Sequence, residues 1–551
     1  FRAFEEKTLR ELNDELRNEA SVMIVVGAGY CSNFWPSSFK LLWLQRDSDQ
    51  FPRYFLDRPL VGTSDPLNFE KNFQERELRY RSKADCVWTL REGEDLFSTQ
   101  VPTSWIFKEL KFENESVLTL FPNTHRDLDQ VIEAKKSWNL VFELRNDLWS
   151  FEKDFEKIKK LVLKYPQVRF LLSFRKLEKI NVEIFSLPNV LSDWEIKLGL
   201  PPSGLKVSYF SLHDLSESLT KELKNLEGLL DINPGIQLKA APDISSFEDL
   251  EILYKWWLQN PSKKNIFPRS PFSKSPRWQW FRLFMKGKQR LNFLREGREG
   301  LADQPTLCQW SCQVDSTRES ARFAAILGDP VLHSYSPVFH HEFFKKKHMN
   351  FYAIPLSKEE LNEKVFAFLD ELGACAFAVT SPLKKHEFLL KNSTPIDANA
   401  DQVHNTLFKI QTDSKTKIWK RANTDIEALK KMLNAFSSSC SNEETSWVIW
   451  GSGAIAEQAF DLLQNVELYS ASQGECLKKK GKMTSNVCLL WAAGDQAPLP
   501  SFKKIQKVLD LSYSSKSNAR LYCFDQKIPY LSGLEFFQIQ ARAQQQLWDE
   551  L

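Results

Sequence analysis

Residues 235–241 read GIQLKAA, an apolar run that carries an ammonium, Lys239, to the point where a strand enters a core. Taken alone, this is a lysine at a strand end, its stem along apolar surface and its head in water. The neighbouring sequence changes that reading. Upstream, SVLTLF (116–121), NLVFELRND (139–147), VRFLLSF (168–174) and LKVSYFSL (205–212) repeat the same kind of run, with Glu-, Lys- and Leu-rich helical stretches between them. Apolar strands each followed by a helix predict a parallel (β/α)8 barrel, whose active site gathers at the C-terminal ends of the strands.

Polar residues recur at those ends: Glu143, Arg145, Arg175, His213 and Lys239. On one barrel face they converge on a single pocket. A partly desolvated lysine beside arginine has a lowered pKa and acts as an imine-forming amine. His213 supplies proton transfers, and paired arginines hold a substrate carboxylate. The chemistry implied is Schiff-base-assisted elimination next to a ketone.

With these residues in place, the stretch resembles a type I 3-dehydroquinate dehydratase. The family's E-L-R-x-D is Glu143-Leu144-Arg145-Asn146-Asp147, its S-x-H-D-F is Ser211-Leu212-His213-Asp214-Leu215, and its K-x-A is Lys239-Ala240-Ala241. The arginine of a later S-R pair matches Arg282, and the glutamine of A-P-G-Q matches Gln304. The resemblance implies that Lys239 forms the imine, that His213 moves the proton, that Glu143, Arg145, Arg175, Arg282 and Gln304 bind substrate, and that no cofactor is needed. The usual Gly-Gly after Arg175 is missing, so no role as an extra acid is carried to Glu178. The barrel is expected over 111–317.

From residue 318 a new βα pattern begins. LGDPVLHSYSPVFHHEFF (327–344) brings Ser334 and Ser336, FAVTSPLKKHEF (377–388) brings Thr380 and Lys384, VHNTLFK brings Asn405, and RANTDIEAL brings Asn423 and Asp425. Such polar turns suit a small hydroxyl-rich substrate; Asn423-Thr424-Asp425 also reads as a helix cap. WVIWGSGAIAEQAF (447–460) is a strand, a Gly-x-Gly turn and a helix, which sets backbone N–H groups where a pyrophosphate sits.

In this order the turns resemble shikimate dehydrogenase, through to Gln540 in SGLEFFQIQA. The resemblance implies a catalytic pair Lys384 and Asp425. It also implies shikimate contacts at Ser334, Ser336, Thr380, Asn405 and Gln540, with Tyr513 nearby, and an NADP turn at Gly451, Gly453 and Ala454. Ala454 stands where the family has a third glycine, and Ala378 where it has the Asn of N-V-T. The clamp for the 2′-phosphate falls near Ser470-Ala471-Ser472, which has no arginine. NADP(H) is the expected cofactor, with NAD the alternative, and Lys478, Lys479 and Lys480 are candidates to replace the clamp. The substrate-binding part is expected over 318–430 plus the C-terminal helix, and the nucleotide-binding part over 431–530.

Residues 1–110 predict a helix (4–19), a short buried strand (Val22–Val26) and a second strand, KLLWLQ (40–45). FRAFEEKTL, VVGAGY, DRPLV and RELRY resemble the later half of shikimate kinase, which would set Arg2 and Arg76 at a shikimate carboxylate and Arg58 at phosphates. No G-x-x-x-x-G-K-S/T occurs in the 551 residues, so kinase activity is not expected. The chain begins at Phe1, from which we expect numbering that starts inside a longer product.

A net charge of +3 on a 551-residue chain argues against a nucleic-acid role driven by bulk charge. No apolar run of membrane-spanning length occurs, and nine cysteines lack a CxxC pair, so reduced thiols in a cytoplasmic protein are expected. No metal site is read. The whole is α/β and multidomain: a partial P-loop-kinase-like segment, a (β/α)8 barrel, then a two-part domain with a Rossmann subdomain. The order resembles the C-terminal part of the pentafunctional arom polypeptide. That implies dehydration of 3-dehydroquinate to 3-dehydroshikimate and its reduction to shikimate, with these small molecules as partners and self-association left open. The alternative is a regulator resembling fungal quinate-pathway repressors, which share these domains and sense metabolites.

Overall fold

Alternation along each strand builds the centre of the molecule. In β4 (Val141–Arg145), Phe142 and Leu144 join the core beneath the surrounding helices, while Val141 joins the core inside the barrel. With a side-chain period of two, Glu143 and Arg145 share the inward face of Val141. The same holds along β5 (Arg169–Phe174), β6 (Val190–Glu195), β7 (Tyr209–Leu212) and β8 (Gln237–Ala240). Leu171, Leu191, Tyr209 and Phe293 fill the lower interior. One pleat higher come Ser173, Asp193, Ser211 and Lys239: Ser173 is in register with Asp193 and Ser211 with Lys239, while the stagger between β6 and β7 sets Ser211 opposite Glu195.

The eight parallel strands run in the order β10-β3-β4-β5-β6-β7-β8-β9, with β3 Glu115–Thr119, β9 Lys264–Ile266 and β10 Leu291–Leu294. Between β9 and β10 two side-chain amides span the seam. Asn265 Oδ1 accepts from Leu291 N at 2.9 Å, and Gln289 Oε1 accepts from Ile266 N at 2.9 Å. Gln289 Nε2 donates to Leu291 O at 3.0 Å.

This architecture comes from a computed structural model. It describes residues 2–551 except 20–21, 23, 27–29, 31–33, 37–38, 47–65, 91–111, 113–114, 123–126, 180, 272–275, 298–299, 315–321, 412–416, 439–444, 485–486, 496, 501–504 and 514–516. The turn at Gly27–Gly29 and the lid arginine Arg58 lie outside the described residues. The first helix runs Arg2–Glu15. The buried strand expected at Val22–Val26 is not formed: its described residues are irregular, and Val25 is 85% exposed. A lone apolar run without a paired neighbour does not hold as a strand. The parallel pair in this segment is β1 (Leu42–Arg46) with β2 (Cys86–Leu90).

Two six-stranded sheets follow. The first has the order β12-β11-β13-β15-β16-β14, built from β11 Phe323–Gly328, β12 Asn350–Pro355, β13 Ala374–Val379, β14 Thr394–Pro395, β15 Thr406–Gln411 and β16 Lys417–Ala422. The second has the order β19-β18-β17-β20-β21-β22. Its strands are β17 Ser446–Trp450, β18 Val466–Tyr469, β19 Cys476–Lys480, β20 Val487–Trp491, β21 Ile505–Asp510 and β22 Tyr530–Leu531. Their order reverses about β17, the topology that leaves a crevice at the strand ends. Phe284 of the barrel packs on Phe323 of β11 at 5.6 Å between ring centroids. Among the described residues no helix is long and apolar enough to cross a membrane.

Candidate active sites

The barrel's upper layer gathers a compact set of charges. Lys239, 3% exposed, places Nζ 2.7 Å from Asp193 Oδ2, and Arg175 Nη2 reaches the same oxygen at 2.7 Å. The Lys239 ammonium also lies 4.1 Å from the ring centre of Phe293, which closes off water from that side. Glu143 accepts from Thr119 Oγ1 at 2.6 Å and from Ser173 Oγ at 2.7 Å, which fixes its carboxylate from two neighbouring strands. Arg175 also donates to Ser211 Oγ at 3.2 Å. His213 Nδ1 bonds the Glu195 carboxylate, two residues above Asp193 on the same strand face.

This geometry sorts the protonation states. Burial, reinforced by Arg175 and opposed by Asp193, pushes Lys239 down to about 8. Burial would raise Asp193, but the Arg175 and Lys239 cations hold it well below the usual carboxylate range. Burial raises Glu195 to about 7, against the pull of Arg175. Burial together with the Arg175 and Lys239 cations keeps His213 well below its ordinary value. At neutral pH the site therefore holds a neutral imidazole beside a lysine close to losing its proton. A neutral histidine can take a proton, and a neutral amine can attack a carbonyl.

The remaining barrel candidates have other partners. Arg145, part-exposed, is held by Asp147 at 3.0 and 2.5 Å. Arg282 is buried and donates to Pro268 O at 3.0 Å and Phe267 O at 3.4 Å, carbonyls just past β9. Gln304 is buried, and its side-chain oxygen has no protein hydrogen-bond partner. Glu178 caps a loop, accepting from Ser150 Oγ at 2.6 Å and Phe151 N at 3.1 Å, and is not the histidine's partner. Asp193 and Glu195 escaped the sequence reading because β6 was not recognised as a strand. The signal was there in DWE: two carboxylates two apart, at the end of an apolar run.

The second cluster lies on the sheet that starts with β11. Lys384, on the short turn Leu383–Lys385, places Nζ 2.6 Å from Asp425 Oδ2. Asp425 opens the helix Asp425–Ser438, and its N–H is capped by Asn423 Oδ1 at 3.2 Å. The cap that the sequence suggested at Asn423-Thr424-Asp425 is thus made by the Asn423 side chain. Asn405 Nδ2 donates to Asp425 Oδ1 at 2.8 Å and lies 3.3 Å from Gln540 Oε1, so the C-terminal helix Leu534–Leu547 reaches the same point. Ser336 N donates to Ser334 Oγ at 3.2 Å, and Thr380 N donates to Leu327 O at 2.9 Å. Thr380 presses on Gly328, where an added Cβ would fall 2.4 Å from its methyl. Tyr335 stacks on Tyr513 at 4.4 Å.

In the sheet built on β17, Gly451 has φ +139°, and a Cβ there would fall 2.5 Å from Ala492 O. Gly453 precedes the helix Ala454–Leu462 and faces open space. Past β18 the hydroxyls of Ser470 and Ser472 lie 3.2 Å apart. The three lysines do not stand there: β19 runs antiparallel, with Lys478 opposite Leu468 and Lys480 opposite Val466, receding from the end of β18. Lys479 is paired with Glu467 at 2.9 Å and Lys480 donates to Asp461 O at 3.2 Å, so the expected replacement of the clamp is corrected.

Residues 326–436 match the family model of the shikimate dehydrogenase substrate binding domain. That stretch contains Ser334, Ser336, Thr380, Lys384, Asn405 and Asp425. Among curated proteins, a shikimate dehydrogenase (NADP(+)) of Prochlorococcus marinus (strain MIT 9515) is 31% identical over 148 residues, 26% of this chain and 49% of that protein. One from Gloeothece citriformis (strain PCC 7424) is 28% identical over 136 residues, 24% and 45% of the two. The chain thus spans about half the length of the curated relatives it matches. Among solved structures, the dehydroquinate dehydratase and shikimate dehydrogenase from S. pombe AroM aligns with 80% of this chain and 96% of that one, at 14% identity and a TM-score of 0.31.

Proposed function

We propose that the chain dehydrates 3-dehydroquinate to 3-dehydroshikimate in the barrel and reduces that product to shikimate in the C-terminal half, with divisions at 111–317 and 318–551. The observation that carries the first step is the buried Lys239, lowered to about 8 beside Asp193 and Arg175. Its neutral amine adds to the substrate ketone and water leaves, forming an imine. His213, oriented by Glu195, takes a proton from the adjacent carbon while the imine nitrogen, protonated as it forms, accepts the electron pair to give an enamine. The same proton then goes to the departing hydroxyl, which leaves as water, and a further water hydrolyses the imine to free Lys239. Arg145, Arg175 and Arg282 are the cations available to a carboxylate, and the unpartnered Gln304 oxygen accepts from a substrate hydroxyl.

In the second half, Lys384 and Asp425 hold the proton exchanged at the reacting oxygen. Ser334, Ser336, Thr380, Asn405 and Gln540 bind the ring. The Gly451 turn fits a dinucleotide: it admits no Cβ, and Gly453 leaves open space before a helix N-terminus. Bound NADP(H) supplies the hydride there. With hydroxyls and no guanidinium at Ser470–Ser472, NAD is expected to compete more strongly than in a chain with a clamp arginine.

The test is borohydride trapping with 3-dehydroquinate and peptide mass mapping. A stable adduct on the peptide carrying Lys239 supports the reading. Ligand binding without adduct or turnover overturns it and favours a metabolite-sensing regulator.

A further inference from the structure

The N-terminal strands lack a role in this reading, yet buried charge ties them to the barrel. Lys135 ends the helix Leu128–Lys135, and its side chain is fully buried. Its Nζ donates to Asp85 O at 2.7 Å and stands 3.1 Å from Glu296 Oε1. The same Glu296 oxygen accepts Val87 N of β2 at 2.7 Å, and the Glu296 side chain is only 7% exposed. The Asp85 carboxylate in turn accepts from Leu41 N at 2.7 Å and Gln130 Nε2 at 2.9 Å. Trp88 packs against Cys308.

Glu296 opens the loop that returns Gln304 to the barrel mouth. Arg295 N donates to Pro305 O at 3.0 Å, Leu307 N donates to Arg295 O at 3.0 Å, and Arg295 Nε donates to Gln304 O at 2.9 Å. The loop therefore closes on its own base, and that base is clamped from outside by β2 and Lys135. Gln304 ends with its side-chain oxygen buried and unpartnered. A buried ion pair is weak support for stability, because desolvation offsets its attraction, but it fixes geometry where both partners are fully bonded.

We propose that Glu296 is a positioning residue for the barrel site, and that through it the N-terminal segment, a kinase-like piece without an ATP loop, holds Gln304 in place for a substrate hydroxyl. This rests on the dehydratase reading.

The test is a double-mutant cycle in the full chain, read on the 3-dehydroquinate dependence of turnover. Glu296→Ala is expected to raise KM about tenfold with kcat within about twofold, as loss of ground-state binding does. Gln304→Ala is expected to do the same, and the double variant to be no worse than either single one, because both remove one interaction. Independent, multiplying effects overturn the proposal, as does a fall in kcat at unchanged KM. Glu296→Gln keeps an acceptor for Val87 N and serves if Glu296→Ala does not fold. Should the wild type show no turnover, the dehydratase reading fails by itself. Amide exchange at Arg295, Gln304 and Leu307 then decides the coupling: faster exchange in Glu296→Gln supports it, and unchanged exchange overturns it.

Discussion

Two lysine–aspartate pairs of nearly equal length serve this molecule, 2.7 Å at Lys239 and 2.6 Å at Lys384. Their settings differ. Lys239 is on a strand inside a barrel, shares its aspartate with an arginine, and is pushed down to about 8. Lys384 rides a three-residue turn, with its side chain 12% exposed and its aspartate at a helix start. A rigid, dry wall with a second cation favours the neutral amine that covalent chemistry requires. In the proposed reading, the lysine on the turn need only exchange a proton with a substrate oxygen and does not bond carbon.

The sharpest break of this contrast is Lys239→Met. Dehydratase kcat should fall on the order of 10⁴-fold or more, with trapping lost and shikimate oxidation unchanged. Asp425→Asn should do the reverse, lowering reductase kcat by about 10²- to 10⁴-fold and sparing the dehydratase, as coupled spectrophotometric assays of each half would read. Next comes pH. Imine formation needs the unprotonated amine, so dehydratase kcat/KM should rise with pH and level off above about 8. Below that value it should drop about tenfold per unit, since the unprotonated fraction falls about tenfold per unit. A profile that keeps rising to about pH 10, as an ordinary lysine would give, would refute the lowered lysine. The smallest effect concerns the scaffold. Asn265→Ala strips Leu291 N and Leu238 O of their buried partner and should cost about 1–3 kcal/mol in denaturant unfolding, with KM unmoved.

How far the sequence revealed this contrast depends on strand length and composition. The runs NLVFELRND, VRFLLSF, LKVSYFSL and GIQLKAA stood out because each apolar stretch is longer than the strand it contains. Lys264–Ile266 has only three residues, and Leu291–Leu294 lies between Arg290 and Arg295, so neither sits inside a longer apolar run. β6 was hidden differently: Asp193 and Glu195 break the apolar run because the strand spends its inward positions on carboxylates, and the outward Ser192 interrupts it again. A fold's most functional strand is then its least strand-like. In the C-terminal half, the polar turns were legible as turns. That Asn405 joins Asp425 to Gln540 across 135 residues is a tertiary fact no local pattern carries. Val22–Val26 shows the opposite failure, an apolar run that the fold leaves unpaired.

The bond between Val87 and Glu296 spans 209 residues. During synthesis at roughly 5–20 residues per second, β2 therefore emerges roughly 10–40 s before the carboxylate that docks it. For the part of that interval after Lys135 is made, Lys135 lacks the Glu296 carboxylate, and the edge of β2 is open to other chains. The same delay means that a nascent chain halted before residue 296 carries Lys239 but cannot yet seat its first strands.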